Sequence, residues 1–161
     1  GYTWAPSQIT STQYLNAVNY GLVGGVTDTY VTVGNAGEIQ TSTDAYTWTA
    51  RTSGTGNALQ AVEWGNNQFV AVGQAGIILT SPDAITWTPR TSPNTTTWLQ
   101  DILWDGGKYI AVGYSPGSIL TSADGITWTE FPSEAAAYIS ISAGTTSFVL
   151  TTNTGAIYTI P

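Results

Sequence analysis

The chain has no cysteine, no histidine and no methionine. Without Cys, neither a disulfide nor a thiolate metal site can form. Without His, the commonest general base and the commonest zinc ligand are both missing. Basic residues are scarce as well: Arg51, Arg90 and Lys108 stand against ten acidic residues, for a formal net charge of −7. Three cations cannot neutralise a row of phosphates, which argues against nucleic acid and against anionic membrane surfaces as partners. No apolar run reaches the roughly 20 residues of a membrane span, so membrane insertion is not expected. No signal-peptide pattern is visible either. The first residue is Gly1 rather than Met, so a processed product or an excised fragment is expected. Charged residues make up only 8% of the chain, which leaves solubility to Thr, Ser, Asn, Gln and Gly. Such a neutral polar surface suits an extracellular or virion-associated protein.

What the chain does have is repetition. The 161 residues are enough for one domain with a buried core. "TSTDAYTWTARTS" from Thr41, "TSPDAITWTPRTS" from Thr80 and "TSADGITWTEFPS" from Thr121 are near copies. Their Trp residues, with Trp4 at the start, fall at 4, 48, 87 and 128, spaced by 44, 39 and 41 residues. Further columns align between them. One holds Leu15, Leu59, Leu99 and Tyr138. A second reads "YVTVG", "FVAVG", "YIAVG" and "FVLTT", and a third "GEIQTS", "GIILTS", "GSILTS" and "GAIYTI". Each unit is three short β-branched or aromatic runs followed by a Trp-bearing run, with Gly, Asn, Asp and Pro in the gaps. No segment keeps a helical period, and "SEAAAYIS" near 133 reads as a loop entering a strand.

Four short strands in about 40 residues is the period of a propeller blade. The expected fold is therefore all-β, a single four-bladed β-propeller over 1–161 with repeats at about 5–48, 49–87, 88–128 and 129–161. The fourth unit stops at "AIYTIP" where the others continue into the Asp and Trp, and the chain begins "GYTW". Residues 1–4 are thus expected to complete the last blade and close the ring, which removes the open sheet edge. A larger ring built from two chains would use the same repeats.

The motif S-x-D-[AG]-x-T-W resembles the Asp-box repeat of bacterial neuraminidases and related propellers, with a loop one residue shorter. The whole unit "LQAVEWGNNQFVAVGQAGIILTSPDAITWTPRTS" resembles propeller repeats of bacteriophage tail and bacterial surface proteins, and those of photosystem II assembly factors. The resemblance implies a propeller fold and leaves the job open, because one fold hosts many functions. Neuraminidase chemistry needs an arginine cluster that two arginines cannot build, so that activity is not implied.

Each candidate residue has a bland reading beside the functional one. Asp44, Asp83 and Asp124 are expected to tie their turns by accepting backbone N–H bonds, and Trp48, Trp87, Trp128 and Trp4 to seal one blade against the next. One carboxylate per loop is thin coordination for calcium, so neither a metal nor a cofactor is expected. Tyr20, Trp64 and Trp104 read as packing between blades. Residues that break the repeat are more telling. Tyr14 and Trp98 share a column with Ala58 and Ala137, and Tyr114 takes a turn position held by Asn35 and Gln74. With Arg51, Asn57 and Arg90 they form a candidate ligand-binding set, since exposed rigid aromatics stack well on sugar rings. The bland role for the arginines is bracing the loop between blades. Asp101 replaces Ala17, Ala61 and Ser140 and reads as a surface or water-satisfied carboxylate, with a water or ion site in the channel as the alternative. A glycosidase would need two carboxylates about 5–10 Å apart, and Glu63 with Asp105 is the only pair to suggest itself.

The expected function is a non-enzymatic carbohydrate-binding or receptor-recognition module, as in a phage tail or extracellular assembly. Its partners would be a glycan or a cell-surface receptor. The alternative is a structural propeller that binds other proteins through the aromatics at 14, 98 and 114. A glycan-cleaving enzyme comes third.

Overall fold

The structure is a computed structural model, and it describes residues 6–9, 11–114, 118–131 and 136–160. β-branched and aromatic runs form the strands, as their preference for a pleated, half-buried surface dictates. The first sheet is a meander of β1 (Leu15–Val23), β2 (Thr27–Gly34), β3 (Ile39–Ser42) and β4 (Thr49–Arg51). The second repeats it with β5 (Leu59–Gly65), β6 (Gln68–Gly73), β7 (Ile78–Ser81) and β8 (Thr88–Arg90). The third has β9 (Trp98–Trp104), β10 (Tyr109–Tyr114), β11 (Ser118–Ser122) and β12 (Thr129–Phe131). The fourth has three strands among the described residues: β13 (Tyr138–Ala143), β14 (Phe148–Thr152) and β15 (Ile157–Ile160).

All pairing within the sheets is antiparallel. Register shifts near the start of every inner strand leave Asn16, Gln60, Gln100 and Ile139 out of the regular pairing. Such bulges bend and twist a strand, and here they fall in the same repeat column four times. Each outer strand begins just after its Trp, so β4, β8 and β12 run on to Arg51, Arg90 and Phe131. The two arginines therefore belong to strands rather than to the connecting loops.

The sheets stack face to face, with β1, β5, β9 and β13 side by side. Three apolar cores fill the three gaps. In the first gap Val31, Val33 and Ile39 of the first sheet meet Leu59, Val62, Phe69 and Trp87 of the second. In the next, Val70, Val72 and Ile78 meet Leu99, Ile102, Tyr109 and Trp128. In the third, Ile110, Val112 and Ile119 meet Tyr138, Ile141 and Leu150. Every sheet thus has a leading face, which supplies the first set, and a trailing face, which supplies the second. Both faces of the second and third sheets are buried, so their strands lack clean polar/apolar alternation.

Closure into a ring of four is not seen among the described residues. Val18 and Tyr20 on the first sheet and Val149 and Ile157 on the fourth stay exposed. The expected closing strand, residues 1–4 with Trp4, lies outside the described residues. The segment after it runs beside the first sheet: Gln8 N–H donates to Tyr46 O (2.9 Å), and Trp48 N–H donates to Gln8 O (3.3 Å). The repeat columns specify which side chains meet between sheets. They do not specify the angle at which neighbouring sheets meet, and that angle decides how many sheets complete a circle.

Candidate functional site

The three Asp loops come first, because their repetition made them the obvious candidates. Asp44 Oδ1 accepts from the Ser42 hydroxyl (2.8 Å) and from the backbone N–H groups of Tyr46 (2.8 Å) and Thr47 (2.7 Å). Asp83 does the same with Ser81 (2.9 Å), Ile85 (2.8 Å) and Thr86 (2.8 Å). Asp124 takes Ser122 (3.0 Å), Ile126 (2.8 Å) and Thr127 (2.8 Å). Donated backbone hydrogen bonds hold Asp44 and Asp124 below the usual carboxylate range. For Asp83 desolvation pulls upward, and hydrogen bonds from Thr86 and Ile85 outweigh it, so its pKa is lowered as well. One oxygen of each carboxylate is thus committed to its own turn. Trp87 and Trp128 are buried in the cores, and Trp48 is half-buried. Trp128 Nε1–H donates to Gly125 O (2.9 Å). Among the described residues no three acidic side chains gather as a cation site.

The arginines turn inward on their own sheets. Arg51 Nε–H donates to the Thr41 hydroxyl and Arg90 Nε–H to the Thr80 hydroxyl, both at 2.8 Å. Each ties an outer strand to its neighbour, which differs from bracing a loop between blades. The hydroxyl lies ten positions back in sequence and is brought opposite by the hairpin. Asn57 is half-buried in the loop before β5, where its N–H donates to the Thr55 hydroxyl (3.0 Å).

The aromatics behave differently. Trp98 and Tyr114 pair across β9 and β10, with ring centroids 5.8 Å apart and planes tilted by 39°. Trp98 is 38% exposed, and Tyr114 is half-buried beneath the same edge. Tyr14 occupies the equivalent column two sheets earlier and is 81% exposed. Its backbone is fixed, since Tyr14 O accepts from Asn35 N–H (2.9 Å). The structure therefore brings Trp98 and Tyr114 together as a small platform on the end that carries the inter-sheet connections. Arg51 and Arg90 are directed into their sheets instead.

Other carboxylates have tasks between sheets. Glu63 accepts from Asn19 Nδ2 of the first sheet (2.6 Å). Burial pushes its pKa up, against hydrogen bonds from the Trp104 N–H and Asn19. Asp101 Oδ2 accepts from Ser140 Oγ (2.7 Å) and Ile141 N–H (2.9 Å) of the fourth sheet, so protein groups satisfy it where water was expected. Asp105 Oδ1 caps a turn through Gly107 N–H (2.8 Å) and Lys108 N–H (2.7 Å). Glu63 and Asp105 are thus each engaged in holding the fold.

A groove of about 560 Å³ opens at the opposite end, between the first two Asp loops, lined by Asp44, Asp83, Arg51, Ile85 and several threonines. Sequence reasoning weighed the Asp loops of this end and gave them a structural role. The signal was present, because the residue after Asp-Ala or Asp-Gly is Tyr46, Ile85 or Ile126, apolar each time, and all three are exposed.

No known family description matches this sequence, and no curated protein matches it. Solved structures do match in fold. YCF48 from Cyanidioschyzon merolae is similar with a TM-score of 0.75 at 16% identity, over 96% of this chain and 55% of that one. A structure of YCF48 bound to D1 peptide gives 0.56 at 23% identity, over 64% and 36%. The computationally designed Ika4 protein gives 0.73 at 9% identity, over 99% and 98%. The chain spans about half the length of the YCF48 chain it matches. These likenesses define the class as an all-β, propeller-like array of antiparallel sheets.

Proposed function

We propose that this chain is a protein-interaction module that binds an extended peptide segment of a partner across its loop-bearing end. The observation that carries the reading is the Trp98–Tyr114 pair, whose Trp98 is exposed at a place where the repeat does not need an aromatic. A solved neighbour of like fold is described as bound to a peptide, which favours a peptide over a sugar on such a surface. Tyr and Trp supply large contact area at small entropic cost and are enriched where binding energy concentrates. With a net charge of −7, the chain would favour segments carrying Lys or Arg. The platform stacks on an apolar or cationic side chain of the segment.

The test is a displayed peptide library selected against the full chain, with Trp98→Ala and Tyr114→Ala as paired controls and a glycan array in parallel. Enriched peptides whose binding falls at least about tenfold in both variants support the reading, a loss typical of a central aromatic anchor. Peptides that bind the variants as well as the parent would refute the location. Glycan hits lost in the same variants would replace the peptide with a carbohydrate.

A further inference from the structure

The geometry points to a second copy of this chain as the neighbour of both free sheet faces, two copies closing one ring head to tail. Among the described residues no sheet packs on the trailing face of the first sheet. Val18 is 63% exposed there, although Val62, Ile102 and Ile141 in its column are all buried. Among the described residues no sheet packs on the leading face of the fourth sheet. Ile157 is 71% exposed, while Ile39, Ile78 and Ile119 in its column are buried. The unfilled volume on the first sheet is a groove of about 470 Å³ lined by Leu15, Val18, Thr32 and Trp48, with Ile9 at its border.

A second, independent pattern says what fits. At the end of each inner strand, an aromatic from one sheet lies on a glycine of the sheet before it. Trp64 covers Gly21, and Trp104 covers Gly65, so closely that a Cβ on either glycine would collide with the ring. Where the fourth sheet has Ala143 in place of the aromatic, the third has Asp105 in place of the glycine. The fourth sheet then returns to glycine. Gly144 is outside the left-handed region, and a Cβ on it would meet only Ser147, at 3.4 Å and 3.9 Å, which is ordinary contact. Nothing within the described chain lies on it. The first sheet carries the matching Tyr20, 45% exposed and resting on no glycine. The last face has the seat and the first face has the ring.

Within one chain those faces stand apart and exposed. A copy offers both at once: its Tyr20 to Gly144, and its Ile157 to Val18. Charge is sparse on these faces: residues 11–27 and 136–160 contain no Asp, Glu, Lys or Arg, and the carboxylate beside them on the first sheet, Asp28, accepts from the Tyr20 hydroxyl at 2.6 Å. Depletion of charge marks the core of stable interfaces. Unlike faces that meet head to tail give a closed ring when the rotation completes a circle and an open filament when it does not.

The experiment is light scattering and sedimentation of the full chain at moderate salt, with Val18→Glu, Ile157→Glu and Gly144→Trp. All three positions lie on exposed or open backbone, and far-UV circular dichroism checks that the sheets persist. The parent is expected at twice the chain mass and each variant at the single-chain mass. Mixing Val18→Glu with Ile157→Glu is expected to restore the doubled mass, because one of the two contacts then has both faces intact. A parent of single-chain mass whose Leu15–Val23 amides exchange as slowly as those of β5 would overturn the proposal in favour of closure within one chain. Single-chain mass with fast exchange there, growth without limit, or variants that still double in mass would each overturn it too.

Discussion

Tyr109 is the sharpest place to perturb the stack. It is fully buried, and its hydroxyl donates across the second gap to Gly65 O, with a longer contact to Gln68 O at 3.3 Å. Burial pushes the phenol pKa upward, so the group remains a donor at any ordinary pH. Tyr109→Phe removes one oxygen and leaves the ring, its stacking with Trp104 at 4.6 Å and the core volume unchanged. The lost hydrogen bond is worth about 1 kcal/mol net, and leaving the buried Gly65 carbonyl without its donor adds about as much again. The expected loss is therefore about 2 kcal/mol, or about 4–8 °C in Tm for a chain of this size. Urea titration should move the midpoint with no change in slope, since the exposed area is unaltered. The reverse substitution is available in the preceding gap. Phe69 points at Gly21 as Tyr109 points at Gly65, so Phe69→Tyr is expected to offset part of the loss in the double variant. A Tyr109→Phe protein within about 0.5 kcal/mol of the parent, the range of substitutions that touch nothing, would show that the bond between these sheets contributes nothing.

Two further outcomes follow from the loops. The folded pKa values of Asp44, Asp83 and Asp124 are depressed, so their contribution is present above the unfolded value near 4 and is lost as pH falls through the folded values. Thermal melts should drop as pH falls below about 4, and Asp124→Asn should flatten that acid limb. Ala45 sits in the left-handed region at φ +59°, where the third loop has Gly125 at φ +71°. Ala45→Gly at this exposed position is expected to gain up to about 1 kcal/mol, read as a raised urea midpoint; a lower midpoint would refute the strain argument.

Much of this was legible before any coordinates. The strands, their order and the Asp-loop hydrogen bonds follow from repeat columns, because a column read several times averages out the noise of a single sequence. The Trp98–Tyr114 platform was legible for the opposite reason, as a break in a column. Less visible were the arginines. Each spends its Nε on a threonine hydroxyl in the neighbouring strand, a pairing that depends on hairpin register rather than sequence proximity. Asp101 was misjudged because its partners, Ser140 and Ile141, lie a whole repeat away. Whether the sheets come round to a circle was the least accessible point. It depends on a few degrees at each gap, and one-dimensional periodicity carries no angle.

The polar links between neighbouring sheets are all different, whereas the apolar columns are nearly interchangeable. Asn19 answers Glu63, Tyr109 answers Gly65, and Asp101 answers Ser140 with Ile141. A chain of near-identical units faces a sorting problem as it folds, since any unit could dock against any other with similar grease. Unmatched carboxylates make the wrong choices costly: the second unit docked out of turn would bury Glu63 without its amide. These links work as addresses. Deleting or shuffling one unit would leave the remaining units well shaped and wrongly sorted, and that constrains how such an array can be lengthened or shortened by duplication.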